Sequence, residues 1–561
     1  MKIKKLVSLI MVLAVAASLT ACGDIKTVND SKKDALSYDD AVKELDVFVG
    51  EISPTSTTPR LDTDLGEEDI ASSLADIDTF EITTEGNGSI NIEIAAPSEI
   101  SGSSQPDNWL NVMAEKFNKE RNEIGGETVS VTIRKISSGE VVTYMADGGY
   151  RPDAYIPSNY ALGEMLEASG ISTVKVADRI AGNTAGILMK KSTNDEFVKK
   201  YGEINMKNVL DAANAGDIVF AYTNPYTSAT GLNILTTMLA SFDSSNPLSE
   251  TAVSKLTEYQ KNAPTAAYTT GVLRNSAAKG IVDAMVMEEQ AYINTPELKD
   301  YVFTPAGIRH DHPVYTFDYV SPERQEAVKM FTDFCLTDEA QKTAAKDGFN
   351  RNDEYLSQET GLDGAGYIAA QKVWKQNKNG GKPVVAVFVA DVSGSMDGTR
   401  LNSLKQSLIN TMQYIDSSNY IGLVSYSDGV NIELPIGQFD NKQRAYFSGA
   451  VKDLTATGGT ATYDGVLVGM KMLEEYRKEV PNSKLMLFVL SDGAQNVGYT
   501  LKRVTPIVGG LSIPVYTIGY EMSDDDKESL QQLSDVNEAA CIDADVEGIV
   551  NDLRNLFNVN M

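Results

Sequence analysis

The chain has only two histidines, three cysteines and two tryptophans in 561 residues. Both histidines lie in His310-Asp311-His312, which leaves little material for histidine-based catalysis or a histidine-rich zinc site. The run before Pro313 reads as a polar turn. Three cysteines cannot build a disulfide scaffold. Lys and Arg number 49 against 78 Asp and Glu, a formal charge of −29, so no broad basic face can attract phosphates and nucleic acid is excluded as a partner. Beyond the first 22 residues no apolar run reaches the roughly 18 residues that a membrane-crossing helix needs. No GxxxxGK[ST], HExxH, CxxC or GxSxG motif occurs, and no enzyme activity is expected. What remains is ordinary globular material, 42% hydrophobic and 23% charged. At about 100–200 residues per domain the length gives three domains, give or take one.

The N-terminus carries Lys2, Lys4 and Lys5, then a short apolar run from Leu6 to Ser18, then Leu19-Thr20-Ala21-Cys22. Charge, apolar stretch and small residues make a secretory signal. The terminal cysteine resembles a bacterial lipobox. That resemblance implies removal of residues 1–21, a diacylglycerol (palmitate-type) lipid on Cys22, and anchoring to the outer face of the bacterial cytoplasmic membrane. The membrane is then touched through lipid only. An ordinary secretory signal with a chance cysteine is the other reading.

Residues 22–88 are polar and acidic, with ten acids and one base between 51 and 88. Such composition buries too little apolar surface to offset ordering entropy, and a flexible acidic linker is expected, with at most a short helix over Asp39–Phe48. Strand and helix patterns alternate from 89 to 350, which implies a largely parallel sheet. Residues 351–382 read as a connector ending at Gly380-Gly381-Lys382-Pro383. From 383 to 561 a second α/β unit follows. Its strands Val384–Ala390, Ile421–Tyr426, Leu485–Leu490 and Val515–Ile518 are continuous apolar runs, the mark of parallel strands buried on both faces. Helices are expected near Leu401–Ile415, Asp464–Tyr476, Asp524–Leu533 and Val546–Phe557.

The chemistry concentrates at the ends of those strands. Asp391-Val392-Ser393-Gly394-Ser395 follows the first strand, Gly458-Gly459-Thr460 precedes a helix, and Ser491-Asp492-Gly493 ends the third strand. Asp391, Ser393, Ser395, Thr460 and Asp492 offer hard oxygen donors, which suit Mg²⁺ (or Mn²⁺ or Ca²⁺), at the place where open α/β sheets bind ligands. The whole pattern resembles the von Willebrand factor type A domain and its metal-ion-dependent adhesion site. The resemblance implies a doubly wound, Rossmann-like fold in which the serines hold the metal directly, the threonine directly or through water, and the aspartates largely through water. It also implies that an acidic residue of a protein or matrix partner completes the metal's coordination. Because the site lies on a solvent-facing loop, Asp391→Ala or Ser393→Ala is expected to remove binding and leave the fold intact. The other reading is a strand-end turn rich in Ser and Gly that caps helices.

Residues 89–350 resemble a type II bacterial extracellular solute-binding protein. The resemblance is carried by Trp109 and Phe117-Asn118, by Arg151-Pro152-Asp153 through Asn159, by Asn224-Pro225-Tyr226 through Gly231, and by Asp338-Glu339-Ala340-Gln341 through Asn350. It implies two α/β lobes with a small solute in the cleft between them. Candidate cleft residues are Ser98, Ser138, Ser158, Asn159, Thr227, Ser228 and Thr230, each equally readable as a cap or turn former. The helix opened by Thr227–Gly231 presents an N-terminus that favours an anion.

Other motifs are discounted. Asp543-Ala544-Asp545 starts like a calcium loop, but Arg554 stands where the closing glutamate belongs. Gly364-Ala365-Gly366 lacks a preceding strand. Cys335 and Cys541 read as buried small hydrophobes. The expected function is metal-dependent adhesion by a lipid-anchored surface protein. The alternatives are a transporter-type receptor for a small solute or oxyanion, and a non-catalytic organising subunit of an envelope complex.

Overall fold

The computed structural model describes residues 35–62, 77–262, 273, 282–379, 382–412, 415–493, 495–520, 522–537, 539 and 541–544. Cys22, the signal segment and the helix expected at Val546–Phe557 lie outside the described residues. No described helix is long and apolar enough to cross a membrane.

The middle unit has two lobes. In the first, strand Ile90–Ala96 pairs parallel with Glu127–Lys135 and with Ala154–Tyr155. Antiparallel strands Ile82–Thr84, Val314–Phe317 and Thr173–Ala177 extend this sheet. Helices Trp109–Glu120 and Pro322–Cys335 cover it with Trp109, Phe117 and Phe331. In the second lobe, Asn183–Lys190 lies antiparallel between Ala284–Glu288 and Tyr301–His310. Phe220–Ala221 supplies a parallel edge. The second sheet is thus mostly antiparallel, unlike the parallel arrangement expected. Period-2 patterning does not distinguish the two when both faces are buried.

The connector expected at 351–382 is corrected. Helix Gly364–Asn377, capped by the Asp363 side chain, belongs to the middle unit. Trp374 is fully buried and its Nε1 donates to the Tyr222 hydroxyl at 2.6 Å. Gly364 lies so close to the backbone of helix Ala161–Ala168 that a Cβ would stand 2.0 Å from Glu164 O. The glycine that read as a linker residue is there for helix contact.

The C-terminal unit is a seven-stranded sheet. Its order is Thr55–Ser56, Val430–Gln438, Tyr420–Tyr426, Val384–Asp391, Lys484–Ser491, Val515–Tyr520 and Cys541–Ala544. Only the pairing of Val430–Gln438 with Tyr420–Tyr426 is antiparallel. Along the central strand Val384, Ala386 and Phe388 face one core, while Val385, Val387 and Val389 face the other. That double burial is why the run is continuously apolar. Cys335 is buried as expected, whereas Cys541 is only half-buried.

The flexible linker expected over 22–88 is also corrected for its described parts. Helix Tyr38–Ile52 places Ala41, Leu45 and Phe48 in the second core of the C-terminal unit, against Val508 and Leu467. Thr55–Ser56 adds a parallel edge to Val430–Gln438. Asp62 is buried and accepts from Ser448 Oγ and Lys452 Nζ, each at 2.6 Å. At the other end, Ile82–Thr84 and Asp78 join the first lobe, the latter through Arg134 at 3.2 Å. Apolar side chains at i, i+4 and i+7 suffice to dock one helical face even where composition is acidic. From residue 35 the described chain therefore runs along the C-terminal unit, builds the middle unit, and returns.

The return passes a cluster of lysines. Lys378, at the end of helix Gly364–Asn377, is buried, with Lys375 and Lys484 as its like-charged neighbours. Burial, then the repulsion of those neighbours, holds the Lys378 ammonium well below its ordinary range; burial lowers Lys375 and brings Lys484 down to about 8. Unfolding restores the ordinary value near 10.5, so the folded chain binds fewer protons between the two values. Stability is expected to rise as pH increases from about 8 towards 10, and Lys484→Met should flatten that rise. Denaturant unfolding at several pH values measures it; a flat or falling wild-type profile contradicts it.

Candidate functional site

The sheet order reverses at Val384–Asp391, whose two neighbours lead the chain in opposite directions. The carboxyl ends of the strands open a crevice there. Asp391 closes the central strand, and the next residues turn sharply, with the Ser393 N–H donating to Asp391 Oδ1 at 2.8 Å. The loop is stitched to the glycine-rich one by Gly394 N–H to Gly458 O at 3.0 Å and Thr457 N–H to Val392 O at 2.8 Å. Ser395 Oγ lies 3.1 Å from Ser393 Oγ and donates to Asp492 Oδ1 at 2.9 Å. The loops bearing all five candidate residues therefore converge on one crevice. Asp391, Ser393, Thr460 and Asp492 are buried, and Ser395 is exposed.

The roles differ. Asp391 is completely buried and its Oδ2 accepts from Ser491 Oγ at 2.8 Å and the Tyr426 hydroxyl at 3.1 Å. Its carboxylate thus anchors the loop backbone. Burial raises its pKa despite those hydrogen bonds, and the nearby Asp492 charge adds to the rise. A cation relieves that cost. The arrangement fits a hard divalent cation in its donor chemistry: three hydroxyls and two carboxylates, one of them ionised only at a cost. Only two of the five are carboxylates, and no group of three or more His, Cys, Asp or Glu that could hold a metal ion is found among the described residues.

Sequence reasoning missed three supports. Arg400 Nη1 lies 3.0 Å from Asp492 Oδ2, so a fixed positive charge balances the outer carboxylate. Asn496 clamps Thr460 from both sides, accepting from its N–H at 2.9 Å and donating its own N–H to Thr460 O at 3.0 Å. Asp428 accepts the Gly459 N–H at 2.8 Å. Gly458, with φ +75°, has no room for a Cβ, which would stand 2.3 Å from Asp428 Oδ2. The turn Ser427-Asp428-Gly429 was the available signal for the last clamp. Arg400 and Asn496 had none, because their contacts cross 92 and 36 residues of sequence.

The middle unit has a cleft of about 560 Å³ between its lobes. Ser98, Ser138, Ser158, Thr227, Ser228 and Thr230 line it as expected. Asn159 does not; it is buried behind the cleft, its Nδ2 3.2 Å from His310 Nε2. The helix Ala229–Phe242 does begin at the cleft, with Ser228 as its cap. The anion expected at its start is supplied by the chain itself: the Thr230 hydroxyl donates to the Glu288 carboxylate. His310 and His312 are fully buried side chains, not a polar turn.

Residues 386–555 match the von Willebrand factor type A domain, and residues 99–350 match a bacterial extracellular solute-binding protein family. Among curated proteins, the inter-alpha-trypsin inhibitor heavy chain H3 of Bos taurus is 32% identical over 154 residues, 25% of this chain and 17% of that protein. The chain thus spans about a sixth of the length of the curated relatives it matches. Among solved structures, a von Willebrand factor type A protein from Catenulispora acidiphila aligns at 20% identity and TM-score 0.29, covering 32% of this chain and 42% of its own. The sulfate-binding protein SubI from Mycobacterium tuberculosis aligns at 16% identity and TM-score 0.35, covering 47% and 88%.

Proposed function

From a chain that joins a bacterial extracellular solute-binding domain to a C-terminal von Willebrand factor type A domain, both of them binding modules, we propose a lipid-anchored surface protein that grips a protein or matrix partner through Mg²⁺. The observation that supports it is the convergence of Asp391, Ser393, Ser395, Thr460 and Asp492 from three separate loops at the sheet's switch point. The hydroxyls of Ser393, Ser395 and Thr460 would hold the ion, with Asp391 and Asp492 behind them. A bound divalent cation supplies a positive charge that a partner carboxylate can meet directly. Asp391 keeps the Ser393 backbone in place, and Arg400 holds Asp492 to one side of the crevice. The surrounding protein is acidic and repels an acidic partner, so attraction depends on the ion rather than on bulk charge.

Ser395 is the exposed member, and Asp492, to which it donates, keeps its contact with Arg400. Ser395→Ala is therefore expected to abolish Mg²⁺-dependent capture of the partner from cell-surface extract while the melting temperature stays within a few degrees. Pull-downs with Mg²⁺ and with chelator, for wild type and variant, measure this; equal capture in all four sinks the adhesion reading.

Anchoring is proposed to come from Cys22, because the short apolar run before it is too short to span the bilayer. Two acyl chains give stable attachment where one does not. Cell fractionation of Cys22→Ala should move the protein from the membrane pellet to the soluble fraction; a variant that stays in the pellet contradicts the anchor.

A second reading rests on the cleft of about 560 Å³. A cavity of this size between two lobes suits a small solute, and the middle unit is read here as its receptor.

A further inference from the structure

The cleft is lined by hydroxyls and carboxylates. Glu99, Asp107, Glu140 and Glu288 face it, and Lys135 is the one cation among its described lining residues. That ammonium is already paired with Glu81. Acidic residues alone define no site, but two further arrangements here point to a ligand.

The first is Gln290, fully buried and lining the cleft. Its Nε2 donates to Asp107 Oδ1 at 2.9 Å, which fixes the amide's orientation. Its Oε1 is then left as a buried acceptor with no partner among the described residues. A buried polar atom without a partner is costly, and a ligand that donates to it removes that cost.

The second is the way Glu288 is held. His310 Nε2 lies 3.2 Å from Asn159 Nδ2 and 3.1 Å from Asn233 Nδ2. Both amides are oriented by backbone contacts: Asn159 Oδ1 accepts the Ala161 N–H at 3.1 Å and Asn233 Oδ1 accepts the Ile308 N–H at 2.8 Å. With two N–H donors aimed at it, Nε2 must accept, and the ring proton sits on Nδ1, 3.4 Å from Glu288 Oε1. The imidazole thus lies beside Glu288 without a hydrogen bond to it, and the Thr230 hydroxyl donates to the carboxylate. Across the cleft, Glu99 accepts from Ser158 Oγ, and His312 donates its Nδ1 proton to Ala181 O at 2.7 Å, leaving Nε2 3.7 Å from Glu99. The Ser137, Ser158 and Thr230 hydroxyls thus spend their protons on Glu140, Glu99 and Glu288.

We propose that the cleft binds a small solute bearing a primary ammonium or guanidinium group, held between Glu99 and Glu288 with an N–H on Gln290 Oε1. No aromatic side chain is among the described lining residues, so neither a stacked sugar or base nor a quaternary-ammonium cage is supported. An external oxyanion meets four carboxylates, and the helix start that would attract it already holds Glu288. This inference rests on the reading of the middle unit as a solute receptor and narrows it to one ligand class.

The test is calorimetry and thermal shift on the full chain in chelator, with putrescine, L-arginine and L-lysine as cationic probes and sulfate, molybdate and glucose as controls. At least one cationic probe should bind and raise the melting temperature, and no control should. Glu288→Gln and Glu99→Gln should each weaken that binding at least tenfold. Two variants on opposite lobes keep the test meaningful if one misfolds. Binding of sulfate or molybdate, or cation binding untouched by both variants, overturns the ligand class and leaves the receptor reading standing. No response to any probe overturns both. The same titration with Mg²⁺, Ca²⁺ and Zn²⁺ is run without chelator; tight divalent binding lost in Glu288→Gln also overturns it, in favour of a metal-ion cargo.

Discussion

Asp391→Ala is expected to destabilise the C-terminal unit by about 3 kcal/mol and to abolish Mg²⁺-dependent binding, whereas Asp391→Asn loses only the binding. The difference follows from burial. Asp391 is fully buried and receives the Ser393 N–H, the Ser491 hydroxyl and the Tyr426 hydroxyl. Alanine leaves those donors without an acceptor, at roughly 1–3 kcal/mol for each buried group left unsatisfied. Asparagine keeps an oxygen for the Ser393 N–H and turns its NH₂ to the two hydroxyls, which can accept. It also removes a charge whose pKa burial has raised, so in chelator at neutral pH it should be no less stable than wild type. Denaturant unfolding of the three proteins in chelator, beside binding with Mg²⁺, gives both readouts. An alanine variant as stable as wild type contradicts the anchoring role of Asp391. The sequence expectation that alanine would spare the fold treated this loop as solvent-facing; of the five donor residues only Ser395 is exposed.

Gly510→Val should cost at least about 3 kcal/mol, because it separates the N-terminal segment from the C-terminal unit. A Cβ at Gly510 would stand 2.6 Å from Ala41 Cβ and 2.8 Å from Leu36 O. Helix Leu501–Leu511 and helix Tyr38–Ile52 touch nearly backbone to backbone, and no rotamer relieves a clash at Cβ. Pushing them apart exposes Leu45 and Phe48, each worth about 1.5–3 kcal/mol when buried. Leu45→Ala alone should cost about 2–4 kcal/mol. The double variant should cost clearly less than the sum, since both changes undo one interface. Additive losses would mean that the helix does not depend on this contact. Limited proteolysis offers a second readout, with cleavage between residues 35 and 62 accelerating in Gly510→Val.

This docking gives the molecule its topology. Residues 35–62 belong to the C-terminal unit, residues 77–379 to the middle unit, and the rest returns to the sheet. The middle unit therefore lies in sequence between two segments of the C-terminal unit, one ending at Asp62 and the other following Lys378.

The sequence by itself determined the local elements and the oxygen donors of the candidate metal site. Val384–Asp391 is a strand because eight residues in a row are buried on alternating faces. Asp391, Ser393, Ser395, Thr460 and Asp492 were legible because strand-end loops carry their donors in short, fixed spacing. Six of the seven cleft candidates were legible because caps and turn formers also open helices onto a cleft. Whatever depends on distant contacts was decided only by the tertiary structure. Acidic composition concealed the docking of Tyr38–Ile52, since a few apolar residues on one helical face outweigh the average of the segment. Gly364 read as a linker and serves as a close helix contact. Arg400 and Asn496 reached the candidate metal site across the fold. The charge of the cleft was decided the same way: Glu99 and Glu288 lie 189 residues apart, and neither marks a site until two lobes bring them together. Local periodicity encodes which face of an element is buried; it carries no record of what that face is buried against.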